Sequence, residues 1–166
     1  MIEREGNFAD VLREHGALIA RIAASYEADR ELARDLTQEI LLAVWRALAS
    51  FREESSQRTF VARIAHNRAI SHVARAANLP DMVQVSEELT SVFPIPETVV
   101  LQQDQSRQLL AAVQQLPLPY RQVATLVLED FTPAEIAQIL GLSVNAVAIR
   151  TSRARALLRA LLGERT

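Results

Sequence analysis

Three histidines, His15, His66 and His72, are the side chains best suited to hold a metal or move a proton near neutral pH. His66 and His72 stand six residues apart, which puts them on different sides of a helix, and no Asp or Glu sits at metal-ligand spacing from any of the three. Cys is absent, which excludes disulfides, thiolate nucleophiles and Cys-based zinc sites. The 4 Gly form no phosphate-cradling loop, and the Ser, His and Asp residues fall into no nucleophile motif. We therefore expect no catalytic residue, no metal and no cofactor. What remains is the chemistry of binding. All 18 basic side chains are Arg and none is Lys, so a phosphate would be met by a planar, bidentate fork.

Those arginines need a frame, and residues 132–159 supply one. Thr132-Pro133-Ala134-Glu135 puts a hydroxyl at an N-cap, Pro at the first helical position and Glu at the third, which starts a helix. Gly141 ends it where a left-handed turn costs little, and Ser143 caps a further helix from Val144. Small Ala137, Gly141 in the turn and apolar Val147 follow helix-turn-helix spacing. On the second helix Val147, Ala154, Leu158 and Leu161 form the inward stripe. Asn145, Ile149, Ser152 and Ala156 then face outward, flanked by Arg153 and Arg159 at about 60° each. In a major groove Asn pairs with adenine, Arg with guanine or phosphate, and Ile149 can touch only a thymine methyl. Arg150 lies near the core edge and Arg155 points to another side, so this helix neutralises about two phosphates.

The rest of the chain also reads as helix, rich in Ala, Leu, Arg, Glu and Gln, so the fold class is all-α. Near the N-terminus, helices are expected over about 7–26, 29–50 and 56–77. In the second, Leu32, Leu36, Ile40, Ala43 and Ala47 share a core stripe. Asp35, Gln38, Glu39 and Leu42 occupy a different arc, left for solvent or a partner. Ser55 and Ser56 are candidate caps for the third helix, whose Phe60, Val61, Ile64 and Val73 pack inward. Helices over 97–116 and 120–129 precede the helix-turn-helix.

Between the two helical halves, Pro80 to Pro96 lacks helical periodicity and carries three prolines. Residues 1–80 hold 11 Arg and 11 acids, 81–110 hold 1 and 5, and 111–166 hold 6 and 4. The expected organisation is a helical domain over 1–79, an acidic linker over 80–96 and a second helical domain over 97–166. A formal net charge of -2 argues against holding nucleic acid by bulk positive charge alone, and 49% hydrophobic residues suffice for packed cores. No signal-peptide pattern and no membrane-length apolar run are present, so a cytoplasmic protein without membrane insertion is expected.

Two separated segments together resemble the extracytoplasmic-function (ECF) sigma factors, which keep promoter-binding regions 2 and 4. Asp35-Leu36-Thr37-Gln38-Glu39, Ala43 to Leu48, Phe51-Arg52, Arg58-Thr59-Phe60 and Ile64 to Asn67 resemble region 2. Leu116-Pro117, Tyr120-Arg121, Ala134 to Ala137, Leu140 to Ser143 and Arg153-Ala154-Arg155 resemble region 4. The resemblance implies a non-catalytic subunit that docks on core RNA polymerase, through the β′ clamp helices and the β subunit, and recognises the minus-ten and minus-thirty-five elements of promoter DNA. It implies that Asp35, Gln38, Glu39 and Leu42 face polymerase, and that Arg58, Phe60, Arg63, Asn67 and Arg68 face the minus-ten strand. Ser143, Asn145, Ile149, Ser152, Arg153 and Arg159 would face the minus-thirty-five duplex.

An anti-sigma factor is the implied regulator, inhibiting by covering Asp35 to Leu42 or Asn145 to Arg153. The chain departs from the family where Gln57 and Ala62 replace frequent aromatics, Phe60 replaces Trp, and Ala148 and Ile149 replace polar or basic residues. Two alternatives stay open, the first of them because of these departures. One is a sigma-like decoy that titrates an anti-sigma factor. The other is a polymerase-independent helix-turn-helix regulator.

Overall fold

The structure, a computed structural model, describes residues 2–78 and 104–163. Seven α-helices and one 3-10 turn make up these residues, with no strand among them. The chain divides into two compact units, Met1–Val99 and Val100–Thr166. The expected linker, 80–96, and the start of the helix expected from residue 97 lie outside the described residues.

The first unit is a three-helix bundle of α1 (Ile2–Tyr26), α2 (Arg30–Ala47) and α3 (Gln57–Asn78), with a 3-10 turn (Leu48–Ser50) after α2. Local chemistry sets where the helices begin. The Asp29 carboxylate accepts the Leu32 N–H at 3.0 Å, capping α2. Ser56 Oγ accepts the Thr59 N–H at 3.1 Å, so Ser56 rather than Ser55 caps α3. The Glu27 carboxylate then fastens the α1–α2 turn to α3, accepting the Asp29 N–H at 3.0 Å and the His72 Nε2–H at 2.9 Å.

The core comprises Val11, Leu18, Ile19 and Ile22 of α1, and Leu36, Ile40, Leu41 and Val44 of α2. From α3 come Val61, Ala62, Ala65 and Ala69. Each large aliphatic here contributes roughly 1.5–3 kcal/mol by leaving water. The alanines of α3, at helical spacing, let its backbone lie close to α1 and α2.

Three expectations change here. Because α2 is gripped by both α1 and α3, its buried arc widens to about 220° at 100° per residue and takes in Leu41, Val44 and Gln38. Leu32, at the margin of that arc in the first turn, is 40% exposed instead of core. On α3 the deepest positions are the alanines with Val61, while Phe60, Ile64 and Val73 are only half-buried. The close helix approach leaves no room for the larger side chains at the centre.

The second unit contains α4 (Asp104–Gln115), α5 (Leu118–Leu128), α6 (Pro133–Leu140) and α7 (Val144–Gly163). After α4, buried Leu116 offers its carbonyl to Arg121, whose Nε–H and Nη2–H donate at 3.2 and 3.0 Å. Asp130 turns the chain after α5 at φ 62°, a left-handed conformation that Asp tolerates better than most residues, and the Phe131 N–H returns to the Leu126 carbonyl at 3.2 Å.

The capping box that opens α6 is complete. The Glu135 N–H donates to Thr132 Oγ1 at 3.2 Å and the Thr132 N–H donates to Glu135 Oε1 at 2.9 Å. Gly141, at φ 68°, closes the helix with its N–H on the Ala137 carbonyl. Ser143 Oγ then accepts the Ala146 N–H at 3.0 Å to start α7. Val113, Val123, Leu126, Phe131, Ile136, Val147 and Ala154 are buried and hold the four helices together.

No helix among the described residues is long and apolar enough to cross a membrane. None of their His, Asp or Glu residues form a group of three or more that could hold a metal ion.

Candidate nucleic-acid and protein interfaces

The outward arc of α2 carries Asp35, Glu39 and Leu42, joined by Arg46 and by exposed Leu32. Gln38 does not belong to it. At 7% exposure its side chain sits inside the bundle, because it lies about 200° around the helix from Leu36, on the edge that α2 buries against its neighbours. The surface that can meet a partner is therefore acidic at Asp35 and Glu39 and apolar at Leu32 and Leu42. Glu39 is already engaged. Arg75 Nη2 donates to both of its carboxylate oxygens at 3.0 Å, and Arg68 Nη1 lies 3.9 Å from Oε1.

On α3 the structure brings together Phe60, Arg63, Asn67 and Arg68, the last three exposed and Phe60 half-buried. Arg58 stands apart, half-buried in the first turn and about 160° around the helix from Phe60. Phe60 has an aromatic neighbour across the loop: the rings of Phe51 and Phe60 lie 4.5 Å apart at 41°. The two rings are tilted, neither parallel nor perpendicular, and together form one aromatic surface at the start of α3. Phe51 enters the site from its place beside Arg52 in the sequence, where nothing local marks it as Phe60's partner.

The two positions at which the resemblance leads one to expect aromatics differ. Ala62 is fully buried, so it faces the bundle rather than the Phe60 surface. Gln57 accepts the His15 Nε2–H at 3.2 Å and so ties the start of α3 to α1.

Behind that surface, His66 is buried with its Nδ1 3.4 Å from the Tyr26 hydroxyl, the two rings meeting edge to face at 6.3 Å. Burial pushes its pKa down from the ordinary 6.5 to about 4, so the ring is neutral and does not contribute charge to DNA.

All six residues expected to read duplex DNA are exposed: Ser143, Asn145, Ile149, Ser152, Arg153 and Arg159. They lie opposite Val147 and Ala154, which anchor α7 to its unit. The structure sorts them further. Ser143 spends its hydroxyl oxygen on the α7 cap. Ser152 and Arg159 line an open groove of about 440 Å³ that they share with Phe131, Pro133 and Arg155. Asn145, Ile149 and Arg153 stand on the ridge beside it, with Ile149 45% exposed. Such an apolar side chain on a helix that carries Arg150, Arg153, Arg155 and Arg159 and no acid fits a surface presenting phosphates and methyl groups together.

Residues 11–78 match the family model for Sigma-70 region 2, and residues 106–158 match that for Sigma-70, region 4. The RNA polymerase sigma factor NccH of Alcaligenes xylosoxydans is 30% identical over 167 residues, spanning 93% of this chain and 86% of NccH. The ECF RNA polymerase sigma factor SigM of Mycobacterium tuberculosis is 27% identical, spanning 94% of this chain and 77% of SigM. Among solved structures, that of CnrH in complex with the cytosolic domain of CnrY superposes with a TM-score of 0.70 at 26% identity, covering 98% of this chain and 91% of the other.

Proposed function

The chain belongs to the ECF sigma factors of the sigma-70 family, and from that premise we propose that it directs core RNA polymerase to a set of promoters under the control of an anti-sigma factor. The observation that carries this reading is the presence of both promoter-binding regions in order on one chain. Polymerase performs the chemistry, and this chain supplies position. A partner that transcribes the chromosome puts its work in the cytoplasm.

In this reading α2 docks on the β′ clamp helices through Asp35, Glu39, Leu42 and Leu32. Gln38 supports that face from within. Duplex opening needs somewhere to put an unstacked base, and Phe51 with Phe60 offers an aromatic platform worth about 1–3 kcal/mol per stacked base. Asn67 offers an amide to a base edge, while Arg63 and Arg68 meet the backbone. On α7, Asn145, Ile149 and Arg153 read base edges at the minus-thirty-five element, and Ser152 and Arg159 position the helix against phosphates. The domain over 1–79 serves polymerase and the minus-ten element, the domain over 97–166 serves the minus-thirty-five element, and residues 80–96 connect them.

Control by a protein partner is supported by CnrH, whose structure contains the cytosolic domain of CnrY. The exposed faces of α2 and α7 are the surfaces such a partner would have to cover to block polymerase or DNA.

The test is reconstitution with core polymerase on genomic DNA, followed by mapping of transcript starts. A shared pair of upstream elements supports the reading. A chain that binds the inhibitor but initiates nowhere is the decoy, and one that binds an operator without polymerase is a helix-turn-helix regulator.

A further inference from the structure

All three histidines of the chain lie in one seam, where α3 meets α1 and the residue that follows it. Taken along the helices, His15 Nε2 meets Gln57 Oε1 at 3.2 Å, the Tyr26 hydroxyl meets His66 Nδ1 at 3.4 Å, and His72 Nε2 meets Glu27 Oε1 at 2.9 Å. The chain has no Cys, and imidazole is the remaining side chain whose charge ordinarily changes between pH 5 and 8. A change of pH in that range therefore acts on this one interface.

The three levels answer a proton differently. A charged His15 still donates to the Gln57 amide, with Glu14 Oε2 3.7 Å away. At His72 a proton makes the bond to Glu27 charge-assisted. Both side chains of that pair are 18% exposed, and the cations nearest on α3, Arg68 and Arg75, are turned to Glu39 of α2. His66 stands between these two ties and refuses the charge. It is 8% exposed and its partner is a phenol rather than a carboxylate. Burial, offset by no charged side chain of α1 or α2, lowers its pKa to about 4.

We infer that the α1–α3 seam is an acid-responsive joint, in which His66 takes up a proton only by parting from Tyr26 while the His15–Gln57 and Glu27–His72 ties hold α3 on either side. The joint lies directly behind the strand-facing side chains, since Arg63 and Asn67 stand one turn before and one residue after His66 and are exposed. Opening at His66 displaces residues 60–67 and leaves Gln57 and His72 in place. The joint is a property of this chain alone, whereas its consequence, weaker capture of the minus-ten strand in acid, rests on the sigma reading above.

The experiment is native-state hydrogen exchange of the full chain at pH 7.5 and pH 5, read by mass spectrometry and corrected for intrinsic exchange. The open state, with an ordinary imidazole, gains a proton below pH 6.5 that the closed state refuses until about pH 4. The opening equilibrium over residues 60–67 is therefore expected to rise about thirtyfold between the two conditions, with no slope above pH 6.5. The second unit contains no histidine, so α5 serves as the internal reference and is expected to stay unchanged. H66Q should remove the response over 60–67. E27Q keeps an acceptor for the Asp29 N–H but offers His72 no charge, and should extend the response to residues 70–76.

A response of equal size over the whole first unit, one that survives in H66Q, or none at all overturns the joint. So does an E27Q profile identical to that of wild type. If H66Q does not fold, the Hε1 resonance of His66 in the wild-type chain decides: it is expected to hold its position between pH 7.5 and pH 5, and a titration within that interval overturns the proposal. Start-site mapping reports separately on the sigma reading. A chain that initiates normally with a flat exchange profile sinks the joint alone. A chain that never initiates sinks the sigma reading while leaving the exchange comparison intact.

Discussion

The Arg121 guanidinium donates two N–H groups, Nε–H at 3.2 Å and Nη2–H at 3.0 Å, to the carbonyl of Leu116. Carbonyls at a helix C-terminus have no partner further along the helix, and a planar fork on α5 satisfies this one at the close of α4. Lys offers a point charge without the fork. R121K is expected to cost about 1 kcal/mol and R121A about 1–2 kcal/mol of stability in the second unit, seen as a lower urea midpoint and faster hydrogen exchange in α4. No change in either would mean the carbonyl finds an equivalent partner in water.

Asp35 and Gln38 separate docking from folding. Asp35 is exposed on the outward arc, and Gln38 is buried among the helices of the bundle. D35R should therefore leave the unfolding midpoint within about 0.5 kcal/mol of wild type while weakening binding to core polymerase at least tenfold, by anisotropy of labelled protein. Q38A should do the reverse. Its loss is expected at about 1–3 kcal/mol in urea unfolding, with polymerase affinity preserved in the folded fraction. Equal effects of both substitutions on polymerase binding would return Gln38 to the docking surface.

Ile149 gives the duplex-reading face a chemical signature. With 45% of its surface exposed, it can gain by covering a thymine methyl. Replacing the contacted thymine by deoxyuridine deletes only that methyl and is expected to weaken promoter binding by about fourfold, the equivalent of roughly 0.8 kcal/mol for one buried carbon. I149A should bind both DNAs alike. R153A should instead flatten the salt dependence by about 0.9, if its contact is to phosphate, and relax base preference at one position if it reads guanine. A thymine scan that finds no methyl dependence at any position removes Ile149 from the reading.

How much of this was visible beforehand follows from sequence separation. The caps at Asp29, Ser56, Thr132 with Glu135, and Ser143 each join groups three residues apart, so their chemistry is written locally. The outward set on α7 was readable for the same reason, since one helix face against one core needs only the helical period. Gln38 was misplaced because period alone cannot tell that α2 is held from two sides. Phe51 beneath Phe60 depends on the loop between α2 and α3, in which Glu53 adopts a positive φ of 57°. The bond from Arg75 to Glu39 spans 36 residues and exists only once α2 and α3 pack. Long-range contacts of this kind leave no periodic trace.

His66 makes the first unit sensitive to acid. Its pKa is lowered to about 4 by burial, against 6.5 for an exposed imidazole. Below pH 6.5 the unfolded chain binds a proton that the folded one refuses, so the unfolded state is favoured increasingly as pH falls toward 4, and above 6.5 the residue contributes no slope. Between pH 7.5 and pH 5 this amounts to about 2 kcal/mol. Other groups titrate in the same range, so the comparison must be with a variant. H66Q keeps a polar side chain near the Tyr26 hydroxyl but cannot take up the proton. Its stability, although lower at pH 7.5, should fall by about 2 kcal/mol less than that of wild type over the same interval. Parallel losses in urea midpoints for the two proteins would show that His66 is solvated enough to ionise in the folded bundle.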